Sequence, residues 1–478
     1  MRRWLTRCLT ALIAVLAVAG LVQPAAAGAA GVVKEDIKDA LARIPGLKVV
    51  SEGPAPTGYR FFKLTFTQQA DYTNPKAGTF EQRLTLLHRD VDAPTVMFTS
   101  GYNVSESPNR SEPTQIVNGN QVSMEYRYFK PSRPAKENWA KQLTIWQAAV
   151  DEHRIVQAFK SIYHANWLAT GGSKGGMTAT YFRRFFPNDV NGTIPYVAPN
   201  DVIDSIDSYD KFLSKVGNDP GCRDALKAVQ RDTLVRRDEL GALAAQESKE
   251  KGYTYKIVGS IDKSLELSTI DSYFAFWQYQ KQADCATVPK PGAPAKDLYD
   301  WYTKVGTLTG YSDQALEGFI PYYYQAAVQL GAPEAYDSYL RDLLRYPGED
   351  VPKTFVPKEI KLPRFDYLAM PDIDFWVRTQ AKQMLYIYGG NDPWSAERFS
   401  PAKFPWSDNH AYTVPGGNHG SKIAQLPADQ AAAATATVRK WAGLPEQAPD
   451  ARAFSAQSAP AGFPLFDADL MMIDRPKF

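Results

Sequence analysis

Gly171-Gly172-Ser173-Lys174-Gly175-Gly176 is the stretch whose reading decides the fold. The apolar run Trp167-Leu168-Ala169-Thr170 precedes it, and Met177, Tyr181 and Phe185 follow at near-helical spacing, which puts the hexapeptide on a strand-to-helix turn. That is the setting of a nucleophile elbow. In such a turn glycines let two backbone segments crowd together, a serine is held under strain, and the next N–H faces a developing oxyanion. Gly171, Ser173, Gly175 and the amide of Lys174 fill those places. A flexible glycine turn that happens to carry a serine has the same local pattern, so the decision passes to residues farther along the chain.

Outward from the elbow, the chain alternates apolar strands with helical periodicity, as a mostly parallel sheet covered by helices requires. Upstream, residues 32–50 suggest a short helix, 57–67 and 80–87 alternate as an antiparallel hairpin, and Thr95-Val96-Met97-Phe98-Thr99 is continuously apolar like a strand buried on both faces. The loop after it, Ser100-Gly101-Tyr102-Asn103, is placed to supply a second oxyanion donor, the amide of Tyr102. Residues 122–129 suggest another strand and 139–163 a helix. Downstream, strands are expected over 193–197, 384–388 and 410–414, with a closing helix from Ala428 to Trp441. Between them, residues 201–377 carry helical stripes, among them Cys222, Leu226, Val229 and Thr233, and no convincing strand. The whole predicts an α/β-hydrolase fold. Its parts are a hydrolase domain over 28–200 and 378–445, a large helical cap inserted at 201–377, and a C-terminal tail of 446–478 rich in Ala, Pro and Ser.

A serine nucleophile needs a base and a group that orients the base. In an open parallel sheet such groups gather at the carboxyl ends of strands. Of the five histidines, His419 follows the last strand whereas His410 opens it; among the acids, Asp392 stands just past the strand over 384–388, whereas Asp372 and Asp374 precede it. The order Ser173, Asp392, His419 is the nucleophile, acid, base order of the fold.

The first 27 residues have the charged, apolar and small-residue regions of a secretory signal, so an extracellular product is expected. Their removal, with Arg2, Arg3 and Arg7, takes the formal charge from +2 to −1, which gives no argument for a nucleic-acid partner. No later stretch has the length of a membrane span, no cluster of Cys and His has metal-ligand spacing, and no cofactor is called for. Cys222 and Cys285 are the cysteines left outside the signal, and in an exported chain they read as one disulfide, with two buried free thiols as the alternative.

Thr170 to Thr178, Gly389-Gly390-Asn391-Asp392-Pro393-Trp394 and Gly416-Gly417-Asn418-His419 resemble the secreted bacterial prolyl tri- and tetrapeptidyl aminopeptidases, serine peptidases distantly similar to prolylcarboxypeptidase. Met124-Glu125-Tyr126-Arg127-Tyr128-Phe129 is similar to the Glu-His-Arg-Tyr-Tyr stretch of prolylcarboxypeptidases, with Tyr126 in place of the histidine. The resemblance implies release of short peptides from a free N-terminus, often after proline. Composition and spacing alone reach an exported serine hydrolase with a helical cap. They leave open an esterase or lipase, a catalytically silent binding protein on the same fold, and the oligomeric state.

A cap over the serine would exclude folded chains and admit short peptides. A free ammonium buried beneath it needs carboxylate partners. Glu125, Asp204, Asp207, Asp271 and Glu317 are the candidates, Glu125 first. The aromatics of the cap, such as Tyr322-Tyr323-Tyr324, form either its helix-helix core or a pocket for proline.

Overall fold

The computed structural model describes residues 35–204 and 207–446. The expected signal peptide and, past residue 446, the C-terminal tail lie outside the described residues.

Among the described residues nine strands make one sheet in the order β1-β2-β3-β5-β4-β6-β7-β8-β9. They are β1 Leu47–Gly53, β2 Arg60–Gln69, β3 Thr79–His88, β4 Thr95–Thr99, β5 Asn120–Met124, β6 Trp167–Gly172, β7 Gly192–Tyr196, β8 Leu385–Gly389 and β9 His410–Val414. The first three form an antiparallel meander joined to β5, and β5 through β9 run parallel. This is the α/β-hydrolase architecture read from the sequence. Every residue of β5, β6, β7 and β8 is buried, because helices cover both faces of the parallel part and leave no polar side. Parallel pairing also puts all the carboxyl ends on one edge. Residues 100–103, Ser173, 197–201, 390–392 and 415–419 therefore meet there, although they are spread over more than 300 positions of sequence.

Three expectations change. The short helix expected within residues 32–50 spans Ile37–Ala42, but the chain then turns at Gly46 into an unexpected strand, β1, which pairs Leu47 with Phe66 of β2. The helix expected over 139–163 is broken into Trp139–Gln142 and Ile145–Phe159, because the Thr144 hydroxyl accepts from the Gln147 N–H and starts a new helix. The strand expected over 122–129 ends at Met124. Beyond it the Tyr126 N–H turns to the Tyr102 carbonyl at 2.8 Å, and the fully buried Arg127 guanidinium pairs with Asp151 at 2.7 and 2.8 Å.

Between β7 and β8, among the described residues, the chain forms no strand. Its helices Pro220–Val235, Arg237–Lys251, Ile261–Tyr279 and Ala295–Val305 have a core of their own, in which Leu226, Val229, Leu265, Tyr273, Phe276 and Trp277 are buried together. The disulfide is present: Cys222 on the first of these helices is bonded to Cys285, with their Cα atoms 5.4 Å apart. The final helix of the stretch, Ala369–Thr379, packs on Met177 and Tyr181 of the elbow helix and so covers the sheet rather than the site. No helix among the described residues is long and apolar enough to cross a membrane.

Candidate active site

Ser173 sits between the end of β6 and the helix Lys174–Phe185 with φ +57° and ψ −128°, a conformation that L-residues avoid. Two contacts hold it there: its N–H donates to the Tyr196 carbonyl of β7 at 2.8 Å, and its carbonyl accepts from the Met177 N–H at 2.9 Å. The flanking glycines are required by contact. A Cβ on Gly171 would lie 2.4 Å from the Thr99 carbonyl oxygen, and one on Gly175 would lie 2.2 Å from the same atom. The serine is 7% exposed and faces a cavity walled by Tyr102, Tyr209, Tyr279, Tyr322 and Trp394.

Asp392 follows β8 and is fully buried, one carboxylate oxygen accepting from the Trp394 N–H at 3.2 Å. Its other oxygen lies 2.8 Å from Nδ1 of His419, in the loop after β9. The ring therefore donates from Nδ1, which leaves Nε2 as the basic nitrogen. Nε2 is buried and has no hydrogen-bond partner among the described residues. No bond joins it to Ser173 here. Yet Tyr279 and Trp394, whose rings lie 6.3 and 6.4 Å from the His419 ring, also line the cavity that Ser173 faces. Serine–histidine bonds commonly tighten only with substrate in place. His410, at the amino end of β9, instead lies 3.1 Å from Asp408.

The histidine loop is held by the cap as well as by the sheet. The His419 N–H donates to the Gln278 carbonyl at 2.9 Å, and the Asn418 side chain donates to the Tyr279 carbonyl at 3.0 Å. These carbonyls lie in the last turn of the helix Ile261–Tyr279, whose terminal C=O groups have no acceptor role inside the helix and are open to such bonds.

Lys174 brings two groups to the site. As the first residue of its helix, its N–H has no intrahelical acceptor and can face an oxyanion. Its side chain is buried, with no carboxylate paired to it among the described residues. The ammonium donates to the Gly101 carbonyl at 2.9 Å and lies 3.3 Å from the centre of the Tyr126 ring, while burial pulls its pKa well below the lysine range. The residue that departs from the histidine of the similar stretch is thus the aromatic floor under this cation. Tyr102 reaches the cavity with its ring. Its amide, expected to be the second oxyanion donor, instead donates to Ser100 Oγ at 3.0 Å, because that hydroxyl closes the turn by donating to the Asn103 carbonyl.

Glu125 is a correction. The sequence reading made it first choice for a substrate amine, but its carboxylate is fully buried away from the cavity lining and is already occupied. Arg83 forks onto it, Ser132 Oγ donates at 2.9 Å and the Val104 N–H at 3.2 Å. It anchors the loop after β4. Glu317 is exposed and pairs with Lys130 at 2.8 Å. Asp271 accepts from the Tyr311 hydroxyl and lines a neighbouring cavity of about 70 Å³ with Asp350, burial raising its carboxyl to about 6. Asp204 and Asp207 lie near the catalytic cavity beside Asp201, which lines it and which the sequence reading passed over. Among the described residues no group of three His, Cys, Asp or Glu could hold a metal ion.

Residues 30–476 match the family described as PS-10 peptidase S37. The chain is 56% identical over 415 residues to a prolyl tri/tetrapeptidyl aminopeptidase from Streptomyces mobaraensis, covering 86% of each. Among solved structures, a peroxisomal α/β-hydrolase from Saccharomyces cerevisiae aligns at 11% identity over 76% of this chain and 84% of that one, with a TM-score of 0.31. A prolyl endopeptidase aligns at 11% identity over 80% of this chain and 38% of that one, with a TM-score of 0.33. At those scores the fold rests on the strand order and the elbow, and nothing is taken from the two likenesses.

Proposed function

The chain belongs to the PS-10 peptidase S37 family of serine peptidases, and from that premise we propose that it is an exported exopeptidase releasing tri- or tetrapeptides, preferably after proline, from free N-termini. Ser173 attacks the scissile carbonyl. His419 takes the serine proton at Nε2 and returns it to the leaving amine, Asp392 holds the Nδ1 tautomer and the imidazolium that forms, and the Lys174 amide receives the oxyanion. One observation carries this reading: a buried Asp392–His419 pair beside a strained serine whose cavity is roofed by a separate helical layer. In this reading most of residues 201–377 form the layer that restricts entry, and the two flanking segments, with the helix Ala369–Thr379 packed on them, form the chemical platform. Export is supported by the leader-like first 27 residues and by the Cys222–Cys285 disulfide, which suits an oxidising compartment.

The cavity volume is about 20 Å³, little more than one water, so a peptide enters only when the cap segments carrying Tyr209, Tyr322 and residues 330–332 part from the sheet. A long folded chain cannot thread through such an opening, whereas a short free end can. Chromogenic tripeptides with free and acetylated N-termini, run beside a short acyl ester, test the reading. A strong preference for the free peptide is expected, and equal cleavage of both peptides or faster turnover of the ester would contradict it.

A further inference from the structure

One wall of the cavity that Ser173 faces is acidic and has no cation. Asp201, just past β7, lines it at 8% exposure, and its carboxylate makes no hydrogen bond or ion pair among the described residues. Three more carboxylates stand around it, met by backbone amides and, at Glu397, also by the Ser208 side chain. Asp204 accepts from the Ala332 N–H at 3.1 Å, Asp207 from the N–H groups of Tyr209 and Glu334, and Glu397 from the Ser208 N–H at 3.0 Å. No Lys, Arg or His pairs with any of the four among the described residues.

The wall is shaped as well as charged. Gly331 has φ +76°, and a Cβ there would lie 2.7 Å from both Cγ and Oδ2 of Asp201 and 3.0 Å from Oδ1 of Asp204. Two carboxylates therefore converge on one point of backbone that any side chain would crowd. Burial, with Asp204, Glu397 and Asp207 adding like charge, raises the Asp201 carboxyl to about 8. An unpaired carboxylate in such a place is costly, and a cation is what relieves it. Among the described residues no group of three ligands here could hold a metal ion. A peptide with a free N-terminus brings its own cation, an ammonium with three donors.

We propose that Asp201 binds the N-terminal ammonium of the peptide substrate, with Asp204 as its second acceptor, and so sets the requirement for a free N-terminus. The assignment rests on the aminopeptidase reading above and deepens it. Binding an ammonium restores the ionised carboxylate, so the proton held by the free site leaves as the substrate enters. An acetylated peptide offers a neutral amide with one donor and leaves the acidic cluster without a cation.

The test compares kcat/KM for a free chromogenic tripeptide and its N-acetylated form in the wild type and in D201N, D201E, D204N and D271N. D201N should lower the preference for the free peptide by about 10- to 100-fold, chiefly through a rise in KM for that peptide. D204N should do the same to a smaller extent, and D201E should restore much of the preference, which separates the charge from a folding defect. Parallel losses on both peptides would make Asp201 structural and overturn the assignment. Loss of preference in D271N but not D201N would move the amine to the neighbouring cavity and overturn it equally. A wild type that cleaves both peptides alike would remove the aminopeptidase reading itself, whereas a wild-type preference kept intact by D201N would remove only this assignment.

Discussion

The triad with its supporting loops and the acidic wall of the cavity solve opposite electrostatic problems. Around the triad and its supporting loops these buried groups come paired: Asp392 with His419, Glu125 with Arg83, Arg127 with Asp151, the Lys174 side chain with a carbonyl and an aromatic ring. Along the cavity wall the acids have no cation among the described residues. Asp201 sits among Asp204, Asp207 and Glu397, and Asp271 beside Asp350. A platform that performs the same bond cleavage on every substrate gains from being complete before substrate arrives. A surface that selects by charge is completed by the substrate, and it carries the strain of waiting. The same difference separates chemistry from selection in this chain.

The largest expected effect breaks the platform. Ser173→Ala, His419→Ala or Asp392→Asn should each lower kcat by about 10⁴-fold or more with folding intact, because the three act as one unit. The double variant Ser173→Ala/His419→Ala should then lose little beyond either single change. Inactivation by His410→Ala, with His419→Ala still active, would reverse the strand-end argument.

A smaller effect belongs to the cap alone. Replacing Cys222 and Cys285 by serine opens a loop with a sequence separation of 63, worth about 4 kcal/mol in the chain-entropy model. Hydrogen exchange should show protection falling in the helices Pro220–Val235 and Ile261–Tyr279 before the strands β4 to β8. Uniform loss over both regions would mean that the cap and the sheet unfold together and that the division between them is not energetic.

The narrowest comparison is a dependence on pH. The Asp201 carboxyl is raised to about 8 in the folded chain, against about 3.9 in an unfolded one. The folded state holds this proton more tightly, so its contribution to stability is whole below about pH 4 and is lost as pH rises towards 8. Without substrate, Tm should therefore fall across that window, and D201N should flatten part of the fall. Asp204 and Glu397, raised for the same reason of burial, act in the same direction, as do other buried carboxyls such as Glu152 and Asp350. A D201N variant with the wild-type slope would show that Asp201 is ionised throughout.

The platform was legible in the sequence because its signals are local. The glycines about Ser173, the continuous apolar strand Thr95–Thr99 and the loops that follow β8 and β9 each carry their meaning within a few residues. β1 was missed because Lys48, Ser51 and Glu52 make it a largely polar edge strand that only its pairing with β2 defines. The break at Thr144 was missed because a capping threonine and a surface threonine look alike until the hydroxyl's partner is known. Glu125 was misassigned because its partner, Arg83, lies 42 positions away and meets it only across the β3–β5 pairing. Asp201 was passed over for a similar reason. Its strand was recognised, but helical periodicity in the cap cannot say which loop closes over the strand end, and it is Gly331 that does so.

The central claim is that Ser173 is a nucleophile made reactive by His419, and a fluorophosphonate that phosphonylates activated serines tests it without any assumption about the peptide. Peptide mapping of the labelled wild type should find the adduct on Ser173, with the labelling rate reduced by orders of magnitude in His419→Ala and in Asp392→Asn. An adduct on another serine, or labelling of Ser173 at the wild-type rate in His419→Ala, would contradict the account.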